Sequence, residues 1–160
     1  MKTSLFTALL KTNDAVSPLL LRVALGAILF PHGAQKVLGW FGGYGFSGTM
    51  GFFTGMLHVP VLFAVLAIAA EFLGSLALLA GLFTRVAALG IAATMAVAAI
   101  MVHSQHGFFM NWSGSQKGEG IEYHLLAIGI ALALVIQGGG KWALDSQVAR
   151  KLSATSGACS

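Results

Sequence analysis

Residues 67–85 read AIAAEFLGSLALLAGLFTR. One carboxylate, Glu71, stands in this apolar run, and the next charge downstream is Arg85 at its end. Upstream, the chain from 37 to 70 contains no Lys, Arg, Asp or Glu, and the same is true of 86–116 and 123–140. A helix that crosses a bilayer needs about 20 mostly apolar residues. Runs of this length therefore read as membrane spans, and Glu71 reads as a carboxylate held inside one of them.

The composition supports the same class. Hydrophobic residues make up 57% of the 160 and charged residues 9%, and the mean hydropathy is +0.85. Soluble domains carry about 25% charged residues because their surface faces water. This chain has too few to cover such a surface, so lipid must cover it. The net charge of +4 comes from scattered cations that flank apolar runs. That pattern fits membrane topology rather than nucleic-acid binding. The single cysteine, Cys159, excludes an internal disulfide or a C-x-x-C pair and reads as an exposed tail residue.

The expected fold is an all-α membrane protein, a bundle of four transmembrane helices over 16–38, 59–83, 86–103 and 121–137. Residues 1–145 form one membrane domain and 146–160 a polar tail. Pro18 sits early in the first helix, where its missing N–H needs no partner, and Gly138-Gly139-Gly140 stop the fourth. Residues 1–13 read as a short interfacial amphipathic segment, too short in its apolar part for a signal-peptide core. Residues 39–57, GWFGGYGFSGTMGFFTGML, lack charge and are rich in Gly and aromatics. They read as an interfacial or re-entrant loop, with Trp40, Phe41, Tyr44 and Phe46 in an aromatic belt. Lys2, Lys11, Arg85, Lys141, Arg150 and Lys151 fall at one end of this arrangement. The positive-inside rule then places both termini in the cytoplasm, with Arg85 as a topology anchor; the alternative for Thr84-Arg85 is binding of an anionic lipid or a partner.

Ionisable residues within spans are costly and mark function. At about 1.5 Å per residue, Glu71 lies about 18 Å from the outer end of its span and Arg22 about 9 Å from the inner end of the first. In a core about 30 Å thick these depths nearly coincide, so Arg22 and Glu71 are a candidate intramembrane pair. The alternative is that Arg22 snorkels to the inner surface. Around Glu71, Ala67, Ala70, Gly74 and Ser75 are small and allow close helix approach.

All five histidines fall in the outer half. His32, Lys36, His103, His106, Glu122 and His124 form a candidate outer polar pocket. His32 and Lys36, four apart, share a helix face, whereas Glu122 and His124, two apart, do not. Three readings fit this group: a metal or haem site, since imidazole suits Zn, Cu and Fe; a pocket for a quinone or another small ligand, with His and Glu moving protons; or a structural cluster that satisfies loop groups. No tight ligand motif such as H-E-x-x-H is present, so no metal site is assigned.

LLLRVALGAILFPHGAQKVLG (19–39), EFLGSLALLAGLFTRVAALGIAATM (71–95) and GGGKWALD (138–145) together resemble the DoxX family of small bacterial membrane proteins. The linked elements are L-L-L-R, H-G-x-x-K, E-x-x-G and G-L-x-T-R. Arg22, His32, Gly33, Lys36, Glu71, Gly74, Thr84 and Arg85 fall on the family's motif positions. Where relatives read Ser-Leu-Asp after the glycines, this chain reads Ala143-Leu144-Asp145. The resemblance implies a four-helix inner-membrane protein, associated in some members with quinol oxidation and in others with redox or oxidative-stress assemblies. It implies no catalytic residue. The expected role is a redox-associated membrane subunit, which if enzymatic is a quinone-linked oxidoreductase subunit. A redox-complex protein partner, a homo-oligomer and the lipid bilayer are the expected partners. With no flavin, Fe–S or dithiol motif, electrons must come from a partner or a bound cofactor. A non-enzymatic scaffold or a small transporter subunit using Glu71 are the alternatives.

Overall fold

The structure is a computed structural model that describes residues 8–157. Those residues are helical apart from turns and loops. Helix α1 is Val16–Leu38, α2 is Gly45–Gly51, α3 is Val61–Ala80, α4 is Thr84–Ala98, α5 is Glu122–Gln137 and α6 is Leu144–Gly157. Helix α4 continues through a π-helical turn, Ala99–His103, and a 3-10 turn, Ser104–His106. Counted to His106, three helices are long and apolar enough to cross a membrane: Val16–Leu38, Val61–Ala80 and Thr84–His106. In each, the most apolar window is only 28–33% buried within the protein, so much of its apolar surface is left uncovered. Leu20, Ile28, Leu66, Leu73, Leu89 and Ile100 are exposed on these helices. In water such surface would cost about 25 cal/mol per Å²; in lipid it costs nothing.

The expected boundaries shift where glycine chemistry intervenes. The second span ends at Ala80 rather than 83, because Gly81 takes the left-handed conformation at φ 67°. Gly81 N–H then donates to Leu78 O and Leu82 N–H to Ala77 O, the paired bonds of a Schellman motif. Helix α4 starts two residues before the expected 86 and reaches His106, since its terminal π turn keeps the helix going. Helix α5 has 16 residues, about 24 Å of rise, and is shorter than the other three. The polar tail expected over 146–160 lies largely within helix α6. Residues 1–7 and Cys159 lie outside the described residues, so the interfacial reading of 1–13 is described only from Ala8, where Leu10 is fully buried.

Helix α1 packs against α3 and α5, and α4 packs against α3 and α5. Leu25, Leu29, Leu78, Ile91, Met95 and Leu134 form the centre of the shared core. Small residues set the closest approach, as expected in lipid, where helices lack a hydrophobic drive to associate. A Cβ built on Gly33 of α1 would stand 2.6 Å from Phe72 Cα of α3, and one on Gly26 would stand 3.0 Å from Ser75 O. These two contacts fix the antiparallel register: Gly33 lies opposite Glu71-Phe72, and Gly26 opposite Ser75–Leu79.

The aromatic segment after α1 folds into a single turn, Trp40–Gly42, then α2 and a π-helical turn, Phe52–Met56. It folds back on α1, where Gly43 sits so close to the Gln35 backbone that a Cβ would overlap it. Trp40, Phe41, Tyr44 and Phe46 are all exposed.

Candidate functional site: two polar clusters at opposite ends of the helices

The first cluster lies at the end that carries the α3–α4 turn. Arg22 is 3% exposed, and its guanidinium donates only to backbone carbonyls. Nε bonds Gly139 O at 2.9 Å, Nη1 bonds Leu78 O at 2.9 Å and Leu79 O at 2.6 Å, and Nη2 reaches Lys141 O at 3.3 Å. Leu78 and Leu79 are in the last turn of α3, where the unpaired carbonyls and the helix dipole favour a cation. Asp145, 1% exposed, performs the converse role. Its carboxylate accepts Phe83 N–H at 2.6 Å and Thr84 N–H at 3.0 Å, while its own N–H donates to Gly81 O at 2.9 Å. An anion thus caps the start of α4, where free N–H groups point outward. Arg85 donates through Nε and Nη2 to Lys11 O and through Nη1 to Val135 O.

The candidate pairing of Arg22 with Glu71 is not made, and the snorkelling alternative also fails, because Arg22 is buried. The register set by Gly26 and Gly33 puts Arg22 opposite Leu78 and Leu79, seven residues from Glu71, or about 10 Å along α3. Depth counted from span ends cannot reveal this, because α3 extends beyond the outer end of α1. Asp145 was not singled out as a site residue. Its signal was the G-G-G-K-W-A-L-D run itself, whose three glycines bring the chain back against the α3–α4 turn.

Asp145→Asn is expected to cost about 2 kcal/mol, since an amide accepts only one of the two N–H bonds and loses the charge assistance. Thermal unfolding in detergent checks this; an unchanged midpoint would contradict the capping role.

The second cluster lies towards the opposite end. The Lys36 ammonium pairs directly with the Glu71 carboxylate; the Glu71 side chain is 5% exposed and that of Lys36 25%. Glu71 therefore faces the protein interior. One turn before Lys36, His32 stands beside Tyr123 of α5, with ring centroids 6.2 Å apart. His32 and Tyr123 both lie within electrostatic reach of Glu71. Tyr123 in turn meets His124 at 5.5 Å, and His124 meets His103 of the α4 extension at 4.1 Å. The α4 π turn delivers His103 to this place, and π turns recur at functional sites. His103 Nδ1 is engaged by Glu119 O at 2.9 Å. One buried atom in the cluster, Tyr123 Oη, has no hydrogen-bond partner, whereas the His124 ring is engaged by the Gly120 backbone.

The structure thus brings together His32, Lys36, His103 and His124 of the expected pocket and adds Glu71 and Tyr123. It places His106 and Glu122 elsewhere. The His106 ring packs where a Cβ on Gly118 would stand. The Glu122 carboxylate accepts Met110 N–H at 3.1 Å and braces the 107–121 loop. Glu122 precedes His124 by two positions, so it leaves the helix in another direction. Tyr123 was missed because a tyrosine beside a helix start in an apolar chain ordinarily reads as an interfacial anchor. Among the described residues, no group of three His, Cys, Asp or Glu is placed to hold a metal ion.

Long apolar helices with outward-facing side chains, closed at one end by buried charges and carrying an ion pair within, define an integral membrane protein of helical type. The chain belongs to the DoxX family, whose model matches residues 17–104. That span covers α1 to α4 and includes Arg22, Lys36 and Glu71; Tyr123, His124 and Asp145 lie beyond it. No curated protein and no solved structure matches the chain.

Proposed function

We propose that the protein is a redox-linked subunit of the bacterial inner membrane, whose second cluster binds the polar head of a quinone and exchanges protons with it. In this reading α5 is a fourth span, the aromatic segment 39–57 lies at headgroup depth, and both termini are cytoplasmic. The cations at the α3–α4 end, Lys11, Arg85, Lys141, Arg150 and Lys151, support that orientation.

The observation that carries the reading is the unpartnered buried Tyr123 Oη, beside an intramembrane ion pair. A buried polar atom without a partner costs about 1–3 kcal/mol, so it calls for a ligand or water. A quinone offers carbonyl oxygens that accept from a tyrosine hydroxyl or an imidazole N–H, and it supplies two-electron, two-proton chemistry when bound. His32 is exposed on the side of α1 while touching Tyr123, which opens the cluster laterally to the bilayer. Tyr123 would donate to the ligand, His124 would hold or release a proton on its ring, and Lys36 would hold the Glu71 carboxylate in place.

The test is purification in mild detergent, followed by solvent extraction and mass spectrometry. The expected result is isoprenoid quinone retained by the native protein, and at least about tenfold less by Tyr123→Phe and Glu71→Gln, a loss of about 1.4 kcal/mol. Tyr123→Phe is expected to unfold no earlier than the native protein, because it removes an unsatisfied hydroxyl. A native protein that retains no quinone from quinone-replete membranes would overturn the proposal.

A further inference from the structure

Outside the second cluster, cations and amides converge on a concave site of the described surface. At the α3–α4 end, Lys11, Thr12, Asn13, Arg85, Ile136 and Gln137 line an open cleft of about 370 Å³. No carboxylate lines it. Arg85 uses three of its donor positions on Lys11 O and Val135 O, which fixes the guanidinium and leaves two of its five N–H groups over. The Asn13 Oδ1 accepts Ala15 N–H at 3.2 Å, so its amide NH2 remains as a donor. Thr12 Oγ1 is occupied by Gly140 N–H at 2.6 Å. The Lys11 ammonium and the Gln137 amide make no side-chain hydrogen bond among the described residues. The free groups of the cleft are therefore dominated by donors, two of them cationic, and that chemistry suits a phosphate. At its rim stands Ile136, 75% exposed, the last large apolar residue of α5 before Gln137 and the glycines.

We propose that this cleft binds the phosphate of an anionic phospholipid headgroup, with Lys11 and Arg85 on the phosphate, Asn13 and Gln137 on its ester and glycerol oxygens, and Ile136 against the start of an acyl chain. A lipid is favoured over a free phosphate because the cleft opens at the junction of an apolar helix face and a cationic end. The lateral wall there belongs in hydrocarbon, while the donors sit at headgroup level. The binding would also brace the segment before α1, since Lys11 and Thr12 tie that segment to Arg85 and Gly140. This inference is independent of the quinone reading, which concerns the other end of the helices.

The experiment is native mass spectrometry of the detergent-purified full chain, titrated with phosphatidylglycerol and with phosphatidylcholine of the same acyl chains. Lys11→Gln and Gln137→Glu are the variants; neither side chain contributes to the Arg22–Asp145 contacts, and Arg85 is left intact because it holds backbone. The expected result is one phosphatidylglycerol per chain held in preference to phosphatidylcholine. Lys11→Gln should weaken it by about fivefold, the effect of one cation near an anionic headgroup, and Gln137→Glu should weaken it at least as much. Millimolar inorganic phosphate should leave the lipid in place. Equal retention of both lipids, or undiminished phosphatidylglycerol binding by a folded Lys11→Gln, would overturn the proposal. Displacement by inorganic phosphate would also overturn it, in favour of a soluble-anion site. If Gln137→Glu fails to fold, Lys11→Gln alone decides.

Discussion

Arg22→Met is expected to destabilise the protein by about 4 kcal/mol, at the upper end for a single substitution. The guanidinium is buried and bridges three separate pieces of chain: α1, the last turn of α3, and the 139–141 backbone. Each hydrogen bond from a charged donor contributes about 1.5–3 kcal/mol, but four bonds on one group do not add fully. Methionine fills part of the volume and donates nothing, so the carbonyls of Gly139 and Lys141 lose their partner. Arg22→Lys should recover little, because an ammonium is a single point that cannot span four carbonyls as the planar fork does. Unfolding in mixed detergent, followed by helical circular dichroism, measures both variants. A cost below about 1 kcal/mol for Arg22→Met would show that the carbonyls are satisfied in another way.

The second large effect is expected at the ion pair. Lys36→Ala should cost about 3 kcal/mol, since breaking a buried pair leaves the other charge uncompensated. The lower end of the usual range applies because Lys36 is a quarter exposed. Glu71→Leu should cost a similar amount for the converse reason. The double variant Lys36→Met with Glu71→Leu should return close to native stability, because apolar replacement of a whole buried pair is often neutral or better. That outcome separates two roles. A double variant that folds normally yet loses quinone retention places the pair in ligand binding. A double variant as unstable as either single would mean that Glu71 is held mainly by something other than Lys36.

Much of the fold was legible in the residues. Three charge-free stretches and a charged fraction of 9% require lipid-facing helices, and Gly138 stops the last of them where expected, whereas the left-handed Gly81 ends α3 three residues before the expected 83. The functional cluster was legible only in part. His32 and Lys36 could be joined because four residues along one helix make a face. His103 and His124 lie on different helices, and a helical wheel carries no information about which helices face each other. Glu71 was recognisable as an interior carboxylate, whereas its partner was not. Arg22 and Lys36 both lay on α1, and only the relative slide of α1 and α3 could choose between them.

By itself, the sequence determined that this chain is helical, lives in a membrane and belongs with the DoxX proteins. Those properties follow from composition, run length and local motifs, each read over a few neighbouring residues. The tertiary structure alone decided that Glu71 pairs with Lys36, that Arg22 closes the end of α3 and that Asp145 caps α4. Gly33 on Phe72 and Gly26 on Ser75 set the register between two antiparallel helices. A slide of about two helical turns, about 10 Å, would have brought Arg22 rather than Lys36 to Glu71 without changing a residue.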